Sequence, residues 1–168
     1  MSTKEKRFPK PSWLKVNLPG QGEFTRVRDI LREFKLITVC ENARCPNLGE
    51  CWSQRSATIM IMGNVCTRYC RFCAVKTGNP RGILEDDEPQ RVAQAVKELN
   101  LKYVVITSVD RDDLPDGGAA HYARTITAIN EFCPSVKIET LIPDFSGQRE
   151  LILNVVRARP YVFSHNLE

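Results

Sequence analysis

What the chain lacks narrows its class before any motif is read. No apolar run approaches the roughly 20 residues of a membrane-spanning helix, so no membrane association is expected. Met1 to Lys15 is basic, but it has no apolar h-region and no small-residue cleavage pattern, which excludes a secretory signal. Its prolines and Glu5 suit a transit peptide poorly, and a cytoplasmic location is expected. Aromatics are only 8% of the chain, and no stripe of cations interleaved with them suggests a nucleic-acid partner. Short repeats and low-complexity tracts are missing too. The net charge of +4 is concentrated in the first 16 residues, where Lys4, Lys6, Arg7, Lys10 and Lys15 stand against Glu5. A solvated terminus explains that arm more simply than an acidic partner does. With 168 residues there is room for one domain with a real core, but not comfortably for two.

Cysteine, by contrast, is abundant. There are seven, and an odd count in a chain without a secretory signal argues against a disulfide framework. Metal ligation is the better account. Cys66-Thr-Arg-Tyr-Cys70-Arg-Phe-Cys73 forms a C-x3-C-x2-C triad. Three thiolates on one short loop can hold three irons of a 4Fe–4S cube and leave the fourth iron open. Zinc sites usually take four protein ligands, often as paired C-x2-C knuckles, and that spacing is absent, so zinc is the minority reading. The second triad lies upstream: Cys40, Cys45 and Cys51 in C-x4-C-x5-C spacing. Alone, it leaves a partial zinc site or reactive thiols open. The seventh cysteine, Cys133, falls with Tyr122, Ile126 and Ile129 on an apolar helix stripe and reads as core.

The remaining pattern divides at about residue 55. Residues 1–23, with Pro9, Pro11 and Pro19, read as an extended lead-in. Val27, Ile30, Leu31 and Phe34 then recur at helical spacing. Pro46, Asn47 and Gly49 mark Cys40–Trp52 as a loop, which completes an N-terminal extension over 1–55. From Ala57, apolar runs and amphipathic stretches alternate. Strands are predicted at Thr58–Met62, Tyr103–Thr107, Val136–Leu141 and Tyr161–His165. Helices are predicted around Val92–Leu99, after Asp116-Gly117-Gly118, and around Leu151–Val155. Such alternation argues for a parallel α/β sheet, with right-handed crossovers and a ligand site beyond the carboxyl ends of the strands.

Phe72 stands just before the last cysteine of C-x3-C-x2-C, and the triad follows the first strand of the α/β segment. In both respects it resembles the signature of the radical S-adenosylmethionine (radical SAM) superfamily. With C-x4-C-x5-C upstream, and with the segments Thr107–Gly118 and His165–Glu168, the chain resembles the lipoyl synthase family over nearly its whole length. The fold this implies is α/β: a partial, truncated radical-SAM-type parallel β/α barrel, its first four strands within 56–168, behind a cluster-binding extension. The resemblance implies two 4Fe–4S clusters, with Cys66, Cys70 and Cys73 holding the radical SAM cluster and Cys40, Cys45 and Cys51 an auxiliary one. S-adenosylmethionine would chelate the open iron and yield a 5′-deoxyadenosyl radical. The auxiliary cluster would be consumed as the sulfur source for carbons 6 and 8 of a protein-bound octanoyl group. The implied partners are octanoylated lipoyl carrier domains (2-oxoacid dehydrogenase E2 or glycine cleavage H protein), with reduced ferredoxin or flavodoxin as electron donor.

Further cofactor contacts are implied at Phe72, Thr107, Ser108, Asn166 and Glu168. An aromatic plug over the cluster accounts for Phe72 equally well, and polar strand ends account for Asn166 and Glu168. Thr107, Ser108 and Val109 stand where the superfamily commonly has a Gly-Gly-Glu-type segment, and they depart from it. Asp110, Arg111, Asp112 and Asp113 read as a solvated, self-paired loop. His121 and His165 need no ligand role. The family's C-terminal Arg-Ser-Ser-Tyr-type segment, whose serine completes the auxiliary cluster, is absent, so the chain reads as a fragment or as one completed by another chain. A non-catalytic two-cluster electron carrier is the main rival, although carriers generally use four thiolates per cluster. A zinc-binding module is third.

Overall fold

The computed structural model describes Pro11 and residues 22–166. Most of the lead-in, its basic arm and Glu168 lie outside the described residues. The predicted first helix is α1 (Glu23–Glu33), which buries Val27, Ile30 and Leu31. Phe34 is its C-terminal cap and stays half-buried.

The cysteine-rich stretch after it departs from the expected loop. It contains a two-residue strand, β1 (Ile37–Thr38), and two short helices, α2 (Val39–Asn42) and α3 (Leu48–Ser53). Thr38 is the N-cap of α2, its hydroxyl accepting the Glu41 N–H at 3.3 Å. Asn47 is the N-cap of α3. The residues that suggested a loop therefore start a helix.

The α/β part follows. β2 (Thr58–Ile61) leads into a loop bearing a two-stranded parallel ladder, β3 (Val65–Cys66) and β4 (Lys76–Thr77). Next come α4 (Glu88–Glu98), β5 (Tyr103–Ser108), α5 (Ala119–Phe132), β6 (Lys137–Ile142), α6 (Arg149–Arg157) and β7 (Val162–His165). The main sheet has the order β1-β2-β5-β6-β7. β1 is antiparallel to β2, and all later neighbours are parallel. α4 packs on α5, and α5 on α6. Alternate strand residues such as Val104, Ile106, Ile138 and Ile142 are buried, as are Val92, Val96, Tyr122, Ile126, Ile129 and Val155 of the helices.

Helix starts are built from local chemistry. Pro89 sits in the first turn of α4, where its missing N–H has no cost. Asp116 receives the Gly118 and Ala120 N–H groups at 3.0 and 2.9 Å and so opens α5. Gly118 has φ 87°, and a Cβ there would lie 2.2 Å from Met62 Sδ. Only glycine fits both demands.

Candidate active site

A cavity of about 270 Å³ opens at the carboxyl ends of β2, β5 and β6. Met60, Thr107 and Leu141, one register row across those three strands, line it. Ser108, Asp110, Pro143 and Asn166 stand at the strand ends. One wall is the loop after β2, with Cys66, Arg68, Tyr69, Cys70, Phe72 and Cys73. Val39 and Ala43, which bracket Cys40 on α2, also line the cavity. Parallel strands place their connecting loops together at this end, which explains why segments distant in sequence converge here.

Cys66 is buried, Cys70 half-buried and Cys73 exposed. The Cys66 sulfur accepts the backbone N–H groups of Arg68 and Asp110 at 3.4 and 3.3 Å, and its thiol faces the Asp110 carboxylate at 3.5 Å. Burial raises the Cys66 pKa, against the two N–H groups, which favour the thiolate. The Cys73 N–H bonds to the Cys70 carbonyl at 3.0 Å, a turn that sets the spacing of the last two sulfurs. Tyr69 and Phe72 are 82% and 69% exposed, although both line the cavity.

The acidic segment after β5 corrects the solvated reading. Arg68 donates to both carboxylate oxygens of Asp112, at 2.9 and 2.7 Å, and to Asp144 at 2.8 Å. Thr67 donates to Asp112 at 2.7 Å. Arg111 does pair with Asp113, at 2.8 and 2.9 Å, but its side chain is completely buried and also donates to the Met62 and Ile83 carbonyls at 3.1 and 3.0 Å. On the other side of Met62, its N–H donates to Glu88 Oε2 at 2.9 Å, and that oxygen lies 2.7 Å from His121 Nε2. The Met62 backbone, with φ 66°, is thus held at both its polar groups just before the cysteine loop. Glu88, Arg111 and His121 carry no motif, and sequence reading missed them as supports of the site. For Arg111 the signal was a charged residue just after the apolar run of β5, and Glu88 and His121 had no comparable mark.

Cys40, Cys45 and Cys51 lie apart from the cavity lining, on and between α2 and α3. Cys40 is buried and the other two half-buried. Cys45 bonds through its N–H to the Cys40 carbonyl at 2.9 Å. The Cys51 pKa is raised by burial, then by the nearby Cys40 and Cys45. Among the described residues, no three His, Cys, Asp or Glu side chains converge as a single-ion site. An iron–sulfur cube distributes its thiolates over separate irons and does not require that convergence.

Residues 60–168 match the family model of the Radical SAM superfamily. The chain belongs to the radical SAM superfamily. Residues 1–45 match a second model, the N-terminal domain of lipoyl synthase of the Radical SAM family. The lipoyl synthase of Deinococcus radiodurans is 55% identical over 162 residues, which cover 96% of this chain and 49% of the relative. That of Pyrobaculum arsenaticum is 54% identical over 158 residues, 94% of this chain and 53% of the relative. That of Thermus thermophilus is 51% identical over 159 residues, 95% and 49%. The chain spans about half the length of these curated relatives.

Radical SAM membership implies a 4Fe–4S cluster and S-adenosylmethionine. The donor set fits the cluster: three thiols share one short loop, with two N–H groups on the most buried sulfur. The cavity beside them fits a small polar ligand. Ser108 Oγ is buried and has no hydrogen-bond partner among the described residues. Of the residues expected to contact cofactor, Phe72, Thr107, Ser108 and Asn166 all line this cavity, and Glu168 lies outside the described residues.

Proposed function

We propose that this radical SAM chain serves lipoyl synthase-type sulfur insertion at carbons 6 and 8 of a protein-bound octanoyl group. One observation carries the reading. A single cavity is walled by the C-x3-C-x2-C loop on one side and by the helix of Cys40 on the other, so radical generator and sulfur donor would be neighbours. Similarity to lipoyl synthases over both family models supports it. Bound there, the clusters and S-adenosylmethionine would supply a 5′-deoxyadenosyl radical and sulfide, chemistry that no side chain provides.

The chain's own residues prepare the site. Cys66, Cys70 and Cys73 would hold the radical SAM cluster, and Cys40, Cys45 and Cys51 the auxiliary one. Backbone N–H groups of Arg68 and Asp110 favour the Cys66 thiolate over the thiol. Ser108 and Asn166 offer polar groups for the methionine end of the nucleotide. Phe72 and Tyr69 line the cavity from the loop side, and Met60 and Leu141 make its floor apolar, which leaves few groups to hold water beside a reactive radical. The partners in this reading are an octanoylated lipoyl carrier domain (of a 2-oxoacid dehydrogenase E2 or a glycine cleavage H protein) and a reduced ferredoxin or flavodoxin, in the cytoplasm.

Anaerobic reconstitution followed by iron and sulfide analysis tests the cluster assignment. The wild-type chain should carry up to two 4Fe–4S clusters, and the triple substitution C40A/C45A/C51A should remove one of them. Reduced protein given S-adenosylmethionine should release 5′-deoxyadenosine, and C66A, C70A and C73A should each abolish it. Zinc as the only metal, or two clusters without any 5′-deoxyadenosine, would sink the proposal.

A further inference from the structure

Arg68 lies inside the C-x3-C-x2-C loop, between its first two cysteines, and its side chain is 27% exposed. Its fork grips Asp112, and one nitrogen also reaches Asp144 at 2.8 Å. Its Nε lies 3.7 Å from Asp110 Oδ1. Thr67 tightens the same seam: its hydroxyl donates to Asp112, and its N–H donates to the Asp110 carbonyl at 3.0 Å. The loop is thereby fastened to the end of β5 through Asp110 and Asp112, and beyond β6 through Asp144.

The bidentate Arg68–Asp112 pair steadies the loop, but one guanidinium needs only one carboxylate, and the three around it repel one another. The surplus is electrostatic: one positive charge against three negative ones leaves the group at two negative charges beside the Cys66 sulfur. Negative charge near an iron–sulfur cluster opposes its reduction, and cluster potentials follow net local charge and the hydrogen bonds to sulfur. A cluster that must donate an electron to a sulfonium is made a stronger reductant by such a field.

We propose that Arg68 with Asp110, Asp112 and Asp144 forms a charge clasp that shapes the radical-cluster loop and lowers the reduction potential of the cluster it holds. The four act through the cysteine loop as positioning residues. The inference rests on Cys66, Cys70 and Cys73 being the cluster's ligands.

The test is an EPR-monitored redox titration of the reconstituted full chain, following the signal that changes on addition of S-adenosylmethionine. D112N and R68M break the same ion pair but change the local charge in opposite senses. D112N and D144N should each move the potential toward positive values, and the double variant should move it further. R68M should move it toward negative values. R68K keeps the charge and loses the fork, so its potential should stay near wild type while iodoacetamide labels Cys70 faster in the cluster-free chain. Should R68M fail to take up a cluster, that loss supports the shaping role, and D112N with D144N still decides the charge role. Shifts of the same sign in R68M and D112N, or none in D112N and D144N, would overturn the clasp while leaving the cluster assignment intact. A wild-type chain that takes up no cluster would overturn both.

Discussion

At the scale of single residues, Arg111 joins three segments that are far apart in sequence. It donates to the carbonyls of Met62 and Ile83 and pairs with Asp113, whose carboxylate also accepts the Gly82 N–H at 2.7 Å. Losing one partner of a buried pair costs about 3–5 kcal/mol, because the other charge is left without compensation. R111M should therefore unfold at clearly lower urea concentration than wild type, and R111K should recover only part of the loss, since it lacks the fork. The Arg111 guanidinium holds the Asp113 carboxyl down at about 2, against an ordinary value of 3.8. A depressed carboxylate stabilises the fold above its unfolded pKa, and that contribution is lost as pH falls through the folded one. By linkage the pair contributes about 2 kcal/mol at neutral pH, lost between about pH 4 and pH 2. Urea midpoints measured across that window should fall less steeply in D113N than in wild type; parallel curves would refute the assignment.

At the scale of elements, the extension carrying Cys40, Cys45 and Cys51 is tied to the α/β part by a few cations. Arg91 of α4 donates to the Phe34 and Lys35 carbonyls, at 2.7 and 3.2 Å, and pairs with Glu85 and Asp87. Arg26 reaches the Glu98 carbonyl at 3.1 Å, while within the extension Arg55 grips Glu23 at 2.6 and 2.7 Å. R91M should increase the rate of protease cleavage within residues 34–36 several-fold without changing cleavage near β6; unchanged rates would show that α1 docks by apolar packing alone. The alternating strands and helices of the α/β part were legible, because each apolar run is long enough to show its period. The short elements around the upstream cysteines were not. A helix of four residues has no visible periodicity, and a two-residue strand exists only through its pairing with β2. The cysteines of the candidate site were legible from spacing, whereas its polar supports were not: Arg68 meets Asp112 across 44 positions, and Arg111 meets Met62 across 49. Nothing local marks a charged side chain whose partner arrives only when the sheet closes.

At the scale of the whole molecule, the described sheet ends in a two-residue strand on one side and a four-residue strand on the other. β1 covers β2, whereas β7 hydrogen-bonds only to β6 among the described residues and carries Phe163, which is 39% exposed. An open edge with apolar side chains pairs readily with another chain. Light scattering should show association that rises with protein concentration, and F163K should reduce it; equal association in both would place the contact elsewhere. The helix of Cys40 has a different kind of consequence. It is four residues long, about a single turn, and Val39 before its cysteine and Ala43 at its C-cap belong to the cavity lining. The upstream cysteines and the cavity therefore share one short segment. On the proposed function, loss of a centre held at Cys40, Cys45 and Cys51 would therefore loosen one wall of the cavity.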